Sequence, residues 1–342
     1  MIDMENGKIT MEYGAGGRAM EELISLVFKP AFANDFLNEG NDQAILPCFD
    51  RKSKIAFTTD SYVVTPLFFA GGNIGDLAIN GTVNDLAVGG AVPLYISAGF
   101  IIEEGFPFSE LKKIAISMGE AAKKAGVKVV TGDTKVVEKG AASGLFINTA
   151  GVGFISEGVE LSGNKAAAGD VIILSGSIAE HGVAIMSARK NMEFETSIVS
   201  DTAPLNGLVQ SMLAASPTGI KCMRDATRGG VAAVLNEIAK QSDVGMMIEE
   251  SRIPVQKEVV AICDMFGFDA LNIACEGRLV AIVKKEAAAD VLNAMRNNPC
   301  GKGASIIGKV VEDGDNLVQM RTLVGGLRLV EWFYGEQLPR IC

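Results

Sequence analysis

Residues 127–137 read VKVVTGDTKVV, and this stretch decides the fold class. It opens with the β-branched run 127–130, which predicts a strand, and continues into the polar turn Thr131-Gly132-Asp133. A helical pattern precedes it over 109–124, with Ser109 as N-cap and Gly126 just past the end. A helix that leads into a strand with a polar end is typical of α/β proteins, which bind ligands where their strands end.

The alternation of strands and helices continues along the chain. Further helices are predicted at 73–88, with Asn73 as N-cap, and at 181–190, 203–215 and 229–240. Strands are predicted at 54–58, 92–99, 171–174, 245–249, 279–283 and 305–311, and within the strand-rich stretch 141–154.

The length of 342 residues favours two domains. A stretch rich in Gly, Ala and Ser at 158–170 marks a boundary, so we expect one domain over 1–157 and a second over 158–331. Residues 332–342 have neither a helical nor an alternating pattern, and we expect an extended tail that ends in Cys342.

The composition argues against several classes of protein. The net charge is −10 and no Lys/Arg cluster is present, which is unlike a nucleic-acid binder. No apolar run approaches the roughly 18 residues of a membrane span, and the polar start lacks a signal-peptide pattern, so we expect a cytoplasmic protein. Six cysteines without C-x-x-C spacing and one histidine argue against a zinc site and favour reduced thiols. A lone histidine also favours a structural role for His181 over a catalytic one.

Four aspartates are candidate magnesium ligands: Asp42, Asp60, Asp85 and Asp133. Magnesium prefers hard oxygen ligands, commonly carboxylates together with substrate phosphates. Asp85 shares the apolar face of its predicted helix, where a carboxylate needs a metal or a hydrogen-bonded partner such as backbone. Asp76 lies on the opposite face and is expected either to be solvated or to interact with the helix dipole in the first turn. If 133–135 is extended, Asp133 and Lys135 project to the same face, which would place an ammonium beside the metal and phosphates.

Two glycine-containing segments are candidate phosphate cradles, although no Walker-type loop is present. The first is YGAGGR at 13–18, where Gly14, Gly16 and Gly17 would expose backbone N–H groups beside Arg18. The second is RDATRGG at 224–230, where Arg228 and Gly229 stand at the start of a predicted helix. The alternatives are a flexible turn for the first segment and, for the second, an N-cap made by Asp225 or Thr227.

These motifs, together with NGTVNDLAVGG at 80–90 and GDTKVV at 132–137, resemble the PurM-like ATP-binding superfamily. The ending LPRIC at 338–342 resembles the HypE family, the carbamoyl dehydratases of [NiFe]-hydrogenase maturation. The resemblance covers essentially the whole chain. It implies a mixed α/β fold of two PurM-like domains, in which the first domains of two subunits form a β-barrel across a homodimer.

The resemblance also implies site residues, with ATP and Mg²⁺ as ligands. Asp42, Asp60, Asp85 and Asp133 would hold metal and phosphate, and Asn41 beside Asp42 departs from the two acidic residues that relatives often show. Lys135 and Glu276 would handle protons beside Cys342. Nucleotide would contact both glycine segments and a further set of positions: Asp60, Asn84, Gly132 and Thr134.

The implied reaction converts S-carbamoyl-Cys342 to S-cyano-Cys342 at the expense of ATP and supplies the cyanide ligand of the hydrogenase iron. Tethering at one end gives the terminal thiol a high effective concentration at the site. The implied partners are a HypF-like carbamoyltransferase and a HypC–HypD-like iron scaffold. Two alternatives stay open: another ATP-dependent reaction of the superfamily on a small metabolite, and a non-catalytic nucleotide-binding carrier.

Overall fold

The computed structural model describes residues 7–14, 19, 22–38, 53–189 and 197–331. The first half contains six strands: β1 (Lys54–Tyr62), β2 (Phe68–Phe69), β3 (Gly72–Asn73), β4 (Val92–Glu103), β5 (Lys128–Val137) and β6 (Leu145–Ile155). Its α-helices are α1 (Lys29–Phe32), α2 (Asp35–Asn38), α3 (Ile74–Val88) and α4 (Phe108–Ala125).

Four of these strands form an open sheet in the order β1-β6-β4-β5. Strands β4 and β5 run parallel, and the other neighbours run antiparallel. Helices α3 and α4 cover one face, which we call the inner face, and the core lies between them and the strands. On the outer face the β1 side chains of Ile55 and Phe57 are 68% and 70% exposed, and Ile101 of β4 is 42% exposed.

The second half contains a seven-stranded sheet in the order β13-β12-β9-β11-β7-β10-β8. Its strands are β7 (Val171–Leu174), β8 (Ile220–Asp225), β9 (Gly245–Glu249), β10 (Leu279–Val283), β11 (Ser305–Val311), β12 (Val318–Arg321) and β13 (Leu327–Leu329). Its helices are α5 (Glu180–Ser187), α6 (Asn206–Ala215), α7 (Gly230–Ser242), α8 (Lys257–Phe266) and α9 (Ala288–Arg296). Helix α7 packs on one face of this sheet, and α6 and α9 pack on the other.

Helix α3 lies between the two halves. All of its residues except Asp76 and Asp85 are buried, because β1, β6 and α4 pack on one side and α6 and β8 on the other. Asn73 caps the helix as predicted, and its backbone N–H donates to Asp76 (2.6 Å). Of the two expectations for Asp76, solvation does not hold, because this cap and a hydrogen bond from Ser117 keep it half-buried. Its place in the first turn fits the alternative, an acidic residue at the positive end of the helix dipole.

Several predicted bounds were too short or displaced. Strands β1, β4 and β5 each continue past the predicted end, since a neighbouring strand satisfies their backbone groups. Ser109 is not the N-cap of α4: Pro107 takes that position with φ −67° and ψ 132°, and Phe108 is already helical and buried. No helix among the described residues combines the length and apolar composition needed to cross a membrane.

The contact between α3 and β1 is tight enough to test. A Cβ added to Gly81 would collide with the hydroxyl of buried Tyr62, whereas a Cβ on Gly207 of α6 would make only an ordinary van der Waals contact with Asn298, at 3.9 Å. We expect Gly81→Ala to lower the free energy of unfolding by about 1–3 kcal/mol, because the overpacked ring must move. Gly207→Ala is the control and should raise it by up to about 1 kcal/mol. Urea unfolding of both variants is the measurement, and equal effects would contradict this packing.

Candidate active site at the domain junction

An acidic cluster lies where the two halves meet. Asp60 is near the end of β1, Asp85 is in the last turn of α3, Asp225 ends β8, and Glu276 lies in the loop before β10. Asp60 and Asp85 both lie on the inner side of the sheet. Thr58 of β1 donates to Asp85 (2.9 Å), and Asp60, two residues further along the strand, lies on the same face as Thr58. The four carboxyl groups are close enough for their charges to act on one another.

Burial and like charge disfavour ionisation in this cluster. Burial raises the pKa of Asp85, and the charge of Asp60 adds to this against the hydrogen bond from Thr58. Burial, together with the charges of Asp85 and Asp60, raises the pKa of Asp225 to about 7. Among the described residues, Arg228 supplies a cation 3.8 Å from Asp60, and its side chain is 77% exposed. The described part of the cluster is therefore short of positive charge.

Glu276 is the most deeply buried carboxyl group of the cluster, at 3% exposure. Burial raises its pKa well above the ordinary value, and the charges of Asp201, Asp225 and Asp60 act in the same direction. Its Oε1 has no hydrogen-bond partner among the described residues. An unpaired buried carboxyl oxygen is costly, and a displaced pKa is typical of groups that transfer protons.

Asn84 fixes the loop that carries Glu276. Its amide donates to the carbonyl oxygens of Glu276 (3.2 Å) and Ala203 (3.1 Å), and its Oδ1 accepts from the N–H of Leu205 (2.7 Å). The side chain is buried, so these three bonds give it a positional role. The direct nucleotide contact predicted for Asn84 stays a prediction.

Asp133 and Lys135 lie on the other side of the sheet. They share the outer face of β5, as the spacing predicts, and form an ion pair of 3.5 Å, while Thr134 between them is buried. Gly132 of β5 pairs with Ala98 of β4, which pairs with Thr149 of β6, which pairs with Asp60 of β1. These four residues thus form one cross-strand row on the inner face.

The strand order separates these two groups of site residues. Three strand spacings, roughly 14 Å, lie between β1 and β5. Within one chain, Asp133 and Lys135 therefore lie at the opposite edge of this sheet from Asp60, and on its opposite face. They are likewise separated from Asp85 and Glu276.

The segment 224–230 forms the helix start that the sequence predicts. Helix α7 begins at Gly230 after Gly229, and both glycines have positive φ (60° and 74°), which other residues rarely adopt. Arg228 stands before them beside a cavity of about 470 Å³. Asp85, Asp225 and Arg228 line this cavity at one side, and the paired side chains of Arg224 and Glu237 also line it.

The remaining predicted residues are distributed as follows. Gly14 ends a 3₁₀ turn, Met11–Gly14, while Gly16, Gly17, Arg18, Asp42 and Cys342 lie outside the described residues. Within the described ranges, no group of three or more His, Cys, Asp or Glu side chains has a geometry that could hold a metal ion. His181 is buried, and its Nδ1 lies 2.8 Å from the Ser200 hydroxyl, an arrangement that fits a structural role.

Asp225 and Asp201 were not predicted as site residues. From the sequence, Asp225 was a candidate N-cap only, because the strand Ile220–Asp225 mixes polar and apolar residues and was not predicted. Recognition of that strand would have placed Asp225 at a strand end, where the other acids were sought. Asp201 has no local signal, since only the folded chain brings it to Glu276.

Comparison with known proteins agrees with this architecture. The N-terminal domain of AIR synthase related proteins matches residues 40–155, and the C-terminal domain of the same group matches residues 167–321. These matches, the two sheets and the acidic junction define a two-domain protein of the PurM-like class. Carbamoyl dehydratase HypE of Rhizobium leguminosarum bv. viciae is 55% identical over 341 residues, which cover 100% of this chain and 97% of that protein.

Two solved structures extend the comparison. A crystal structure of hydrogenase maturation protein HypE in complex with ATP has a TM-score of 0.92 and 44% identity, covering 97% of this chain and 99% of its own. A crystal structure of a HypE–HypF complex has a TM-score of 0.79 and 47% identity, covering 92% and 100%. The chain belongs to the HypE family of carbamoyl dehydratases, enzymes of hydrogenase maturation. The fold and the family predicted from the motifs are thereby confirmed.

The raised pKa of Glu276 gives a stability prediction that is independent of turnover. Its folded-state pKa is above the unfolded value, so the unfolded chain loses this proton first as pH rises, and the wild-type protein loses stability between the two values. Without added nucleotide or metal, Glu276→Gln should have nearly the wild-type Tm at pH 4 and a higher Tm at pH 8.

Glu103→Gln is the control with the opposite sign. Hydrogen bonds from the N–H groups of Gly140 and Gly144 lower the pKa of Glu103, so its contribution is present above the unfolded pKa and disappears on acidification. That variant should be less stable than wild type at pH 8 and similar to it at low pH. A Tm difference for Glu276→Gln that does not grow with pH would argue against the buried, unpaired carboxyl group.

Proposed function

We propose that this chain dehydrates S-carbamoyl-Cys342 to S-cyano-Cys342 in an ATP-dependent reaction, and that Glu276 accepts the proton from the amide nitrogen. The observation that carries the assignment to Glu276 is its buried carboxyl group, with raised pKa and an unpartnered oxygen, at the acidic junction. A raised pKa makes the ionised carboxylate a stronger base than an ordinary glutamate, which suits it to accept a proton. The alternative proton acceptor is Lys135.

The reaction removes the elements of water from an amide. When bound, ATP supplies the phosphoryl group that turns the amide oxygen into a leaving group, and Mg²⁺ holds its phosphates. Both protons leave the amide nitrogen as the carbon–nitrogen triple bond forms: Glu276 takes one and the departing phosphate takes the other, so the products are S-cyano-Cys342, ADP and phosphate. Burial of Glu276 keeps bulk water from competing for that proton.

The described residues fit a Mg²⁺–nucleotide complex in charge and in donor type. Asp60, Asp85 and Asp225 offer hard oxygens whose mutual repulsion a divalent cation would relieve. We propose Asp60 and Asp85 as ligands, together with Asp42 and with Asp133. Arg228 and the N–H groups at the start of α7 would face the phosphates.

The span from the described chain to the cavity supports Cys342 as the thiol that reacts. Asn236 of α7 donates to the carbonyl oxygen of Val330 (2.9 Å), and its neighbour Glu237 lines the cavity that reaches Asp85 and Asp225. One helix, about 10–12 Å wide, thus separates the last described residues from the cavity. From Glu331 to Cys342 the chain has eleven residues, which can span up to about 36–40 Å.

A homodimer would complete the site. The outer face of the four-stranded sheet exposes Ile55, Phe57 and Ile101, and both edge strands, β1 and β5, are unpaired on one side among the described residues. An apolar sheet face with open edges is suited to pairing with a second copy as a β-barrel. In this arrangement Asp133 and Lys135 of one subunit serve the acidic cluster of the other.

The proposed partners follow from the family. A HypF-like carbamoyltransferase would load Cys342, in line with the solved HypE–HypF complex. A HypC–HypD-like scaffold would accept the cyano group for its iron. We infer a cytoplasmic location for this exchange.

Mass spectrometry of the intact protein tests the reaction directly. Protein carbamoylated on Cys342 by a HypF-like transferase should lose the mass of one water on addition of Mg-ATP, and peptide mapping should place the product on Cys342. Glu276→Gln should retain the carbamoyl group and slow the loss at least about 100-fold, as expected for removal of a general base.

The matched control for this experiment is Glu237→Gln, a variant in the cavity wall that should keep at least half of the wild-type rate. Turnover of another substrate by protein lacking residues 333–342 would favour a different superfamily reaction. Absence of ATP hydrolysis by the carbamoylated protein would favour the non-catalytic carrier.

Subunit mixing tests whether Lys135 and Glu276 act across the dimer. Lys135→Ala and Glu276→Gln should each be inactive alone. Random mixing makes half of the dimers mixed, and each mixed dimer has one intact site, so about a quarter of wild-type activity should return. A double variant mixed with Lys135→Ala is the control and should stay inactive. If the single variants give no recovery although mass spectrometry shows mixed dimers, the two residues do not act across the interface.

A further inference from the structure

The segment 200–205 links the first domain to the loop that carries Glu276. Ser200 donates from its backbone N–H to the carbonyl oxygen of Ala70 (2.7 Å), and Asn80 of α3 donates to the Thr202 hydroxyl (3.1 Å). Leu205 donates to Asn84 of the same helix (2.7 Å). The segment is therefore fixed along its length to α3 and its neighbourhood.

Asp201 lies in this segment and faces the Glu276 loop. Its Oδ1 accepts from the backbone N–H of Glu276 (3.0 Å), and its Oδ2 accepts from that of Gly277 (3.3 Å). The Nε of Arg278 lies 3.7 Å from Oδ2, and the Asp201 side chain is only 1% exposed. One buried carboxylate thus holds three consecutive residues of the loop.

The loop that carries Glu276 is tightly packed against the segment 200–205 at Gly277. A Cβ added to Gly277 would collide with the Asp201 carbonyl oxygen, so the two backbones are in direct contact. Arg278 is fixed in turn, since it donates to the carbonyl oxygens of Ser177 (2.7 Å) and Gly277 (2.9 Å) and faces Glu180 at 4.0 Å. Helix α3 therefore fixes the segment that carries Asp201, and Asp201 in turn fixes the backbone of Glu276.

We propose that Asp201 is a positioning residue for the dehydration: it fixes the backbone of Glu276 so that the carboxyl group meets the substrate bound between the domains. This inference rests on the proposed function of Glu276. The positioning role needs a carboxylate at residue 201, because both of its oxygens accept hydrogen bonds from N–H groups. An asparagine would turn its own NH₂ group toward one of those donors. Misplacement of a reacting group by about 1 Å is enough to lower a rate by roughly 100-fold.

Two variants separate positioning from charge. Asp201→Asn removes the charge and one acceptor, and Asp201→Glu keeps both acceptors but displaces them by one methylene. Each should lower kcat for loss of water from carbamoylated Cys342 by about 10–100-fold and leave the KM for ATP within about twofold. Asp170→Asn is the matched control, because Asp170 is buried and accepts a backbone N–H from Ala167 on a turn before β7. It should keep the wild-type kcat.

Hydrogen exchange supplies a readout that does not depend on activity. At least one of the amides of residues 276 and 277 should exchange about tenfold faster or more in Asp201→Asn than in wild type or Asp170→Asn, because asparagine leaves one oxygen acceptor for two N–H groups. A kcat within twofold of wild type for either Asp201 variant, or unchanged exchange in Asp201→Asn, would overturn the proposal. If Asp201→Asn does not fold, Asp201→Glu decides the question by its kcat. If the wild-type protein itself loses no water, the proposed function fails while the exchange result still decides whether Asp201 holds the loop.

Discussion

The structure depends on the burial of α3 between two domains. A helix covered on every side must satisfy its polar groups inside the protein, because an unpaired buried polar group costs free energy. Asn84 does this by bonding to the segment 200–205 and to the Glu276 loop, and Asn73 and Asp76 do it at the helix start. Asn80 bonds to the same segment through its NH₂ group, while its Oδ1 has no partner among the described residues. The same bonds that make the junction stable therefore bring the second domain's glutamate to the first domain's aspartates.

The acidic cluster follows from that junction. Each domain contributes carboxyl groups, Asp60 and Asp85 from one and Asp225 and Glu276 from the other, and all four are at least partly buried. Such a cluster opposes folding unless protons or cations relieve the repulsion. If a cation with its phosphates relieves this repulsion, as the proposed function requires, nucleotide binding would also stabilise the junction.

The sequence allowed prediction of the elements whose local pattern is strong. Val171–Leu174, Gly245–Glu249, Leu279–Val283 and Ser305–Val311 have the predicted bounds, because each is a short apolar or alternating run. Helices α8 and α9 were not predicted, and β5 continues through Gly132 because its neighbour β4 supplies hydrogen bonds that no local pattern reveals. Among the site residues, Asp60, Asp85 and Arg228 do come together. The separation of Lys135 from Glu276 depends on strand order and on which face a residue occupies, and neither could be read from spacing along the chain.

The shared burial of α3 also bears on how ligands enter. Ala87 and Val88 at its end belong to the same apolar core as Leu205, Leu208 and Met223 of the second domain, so opening a hinge there would expose that core to water. The cavity beside α7 is already formed without such an opening. The cleft is thus preorganised, and the free energy of binding is not spent on domain closure.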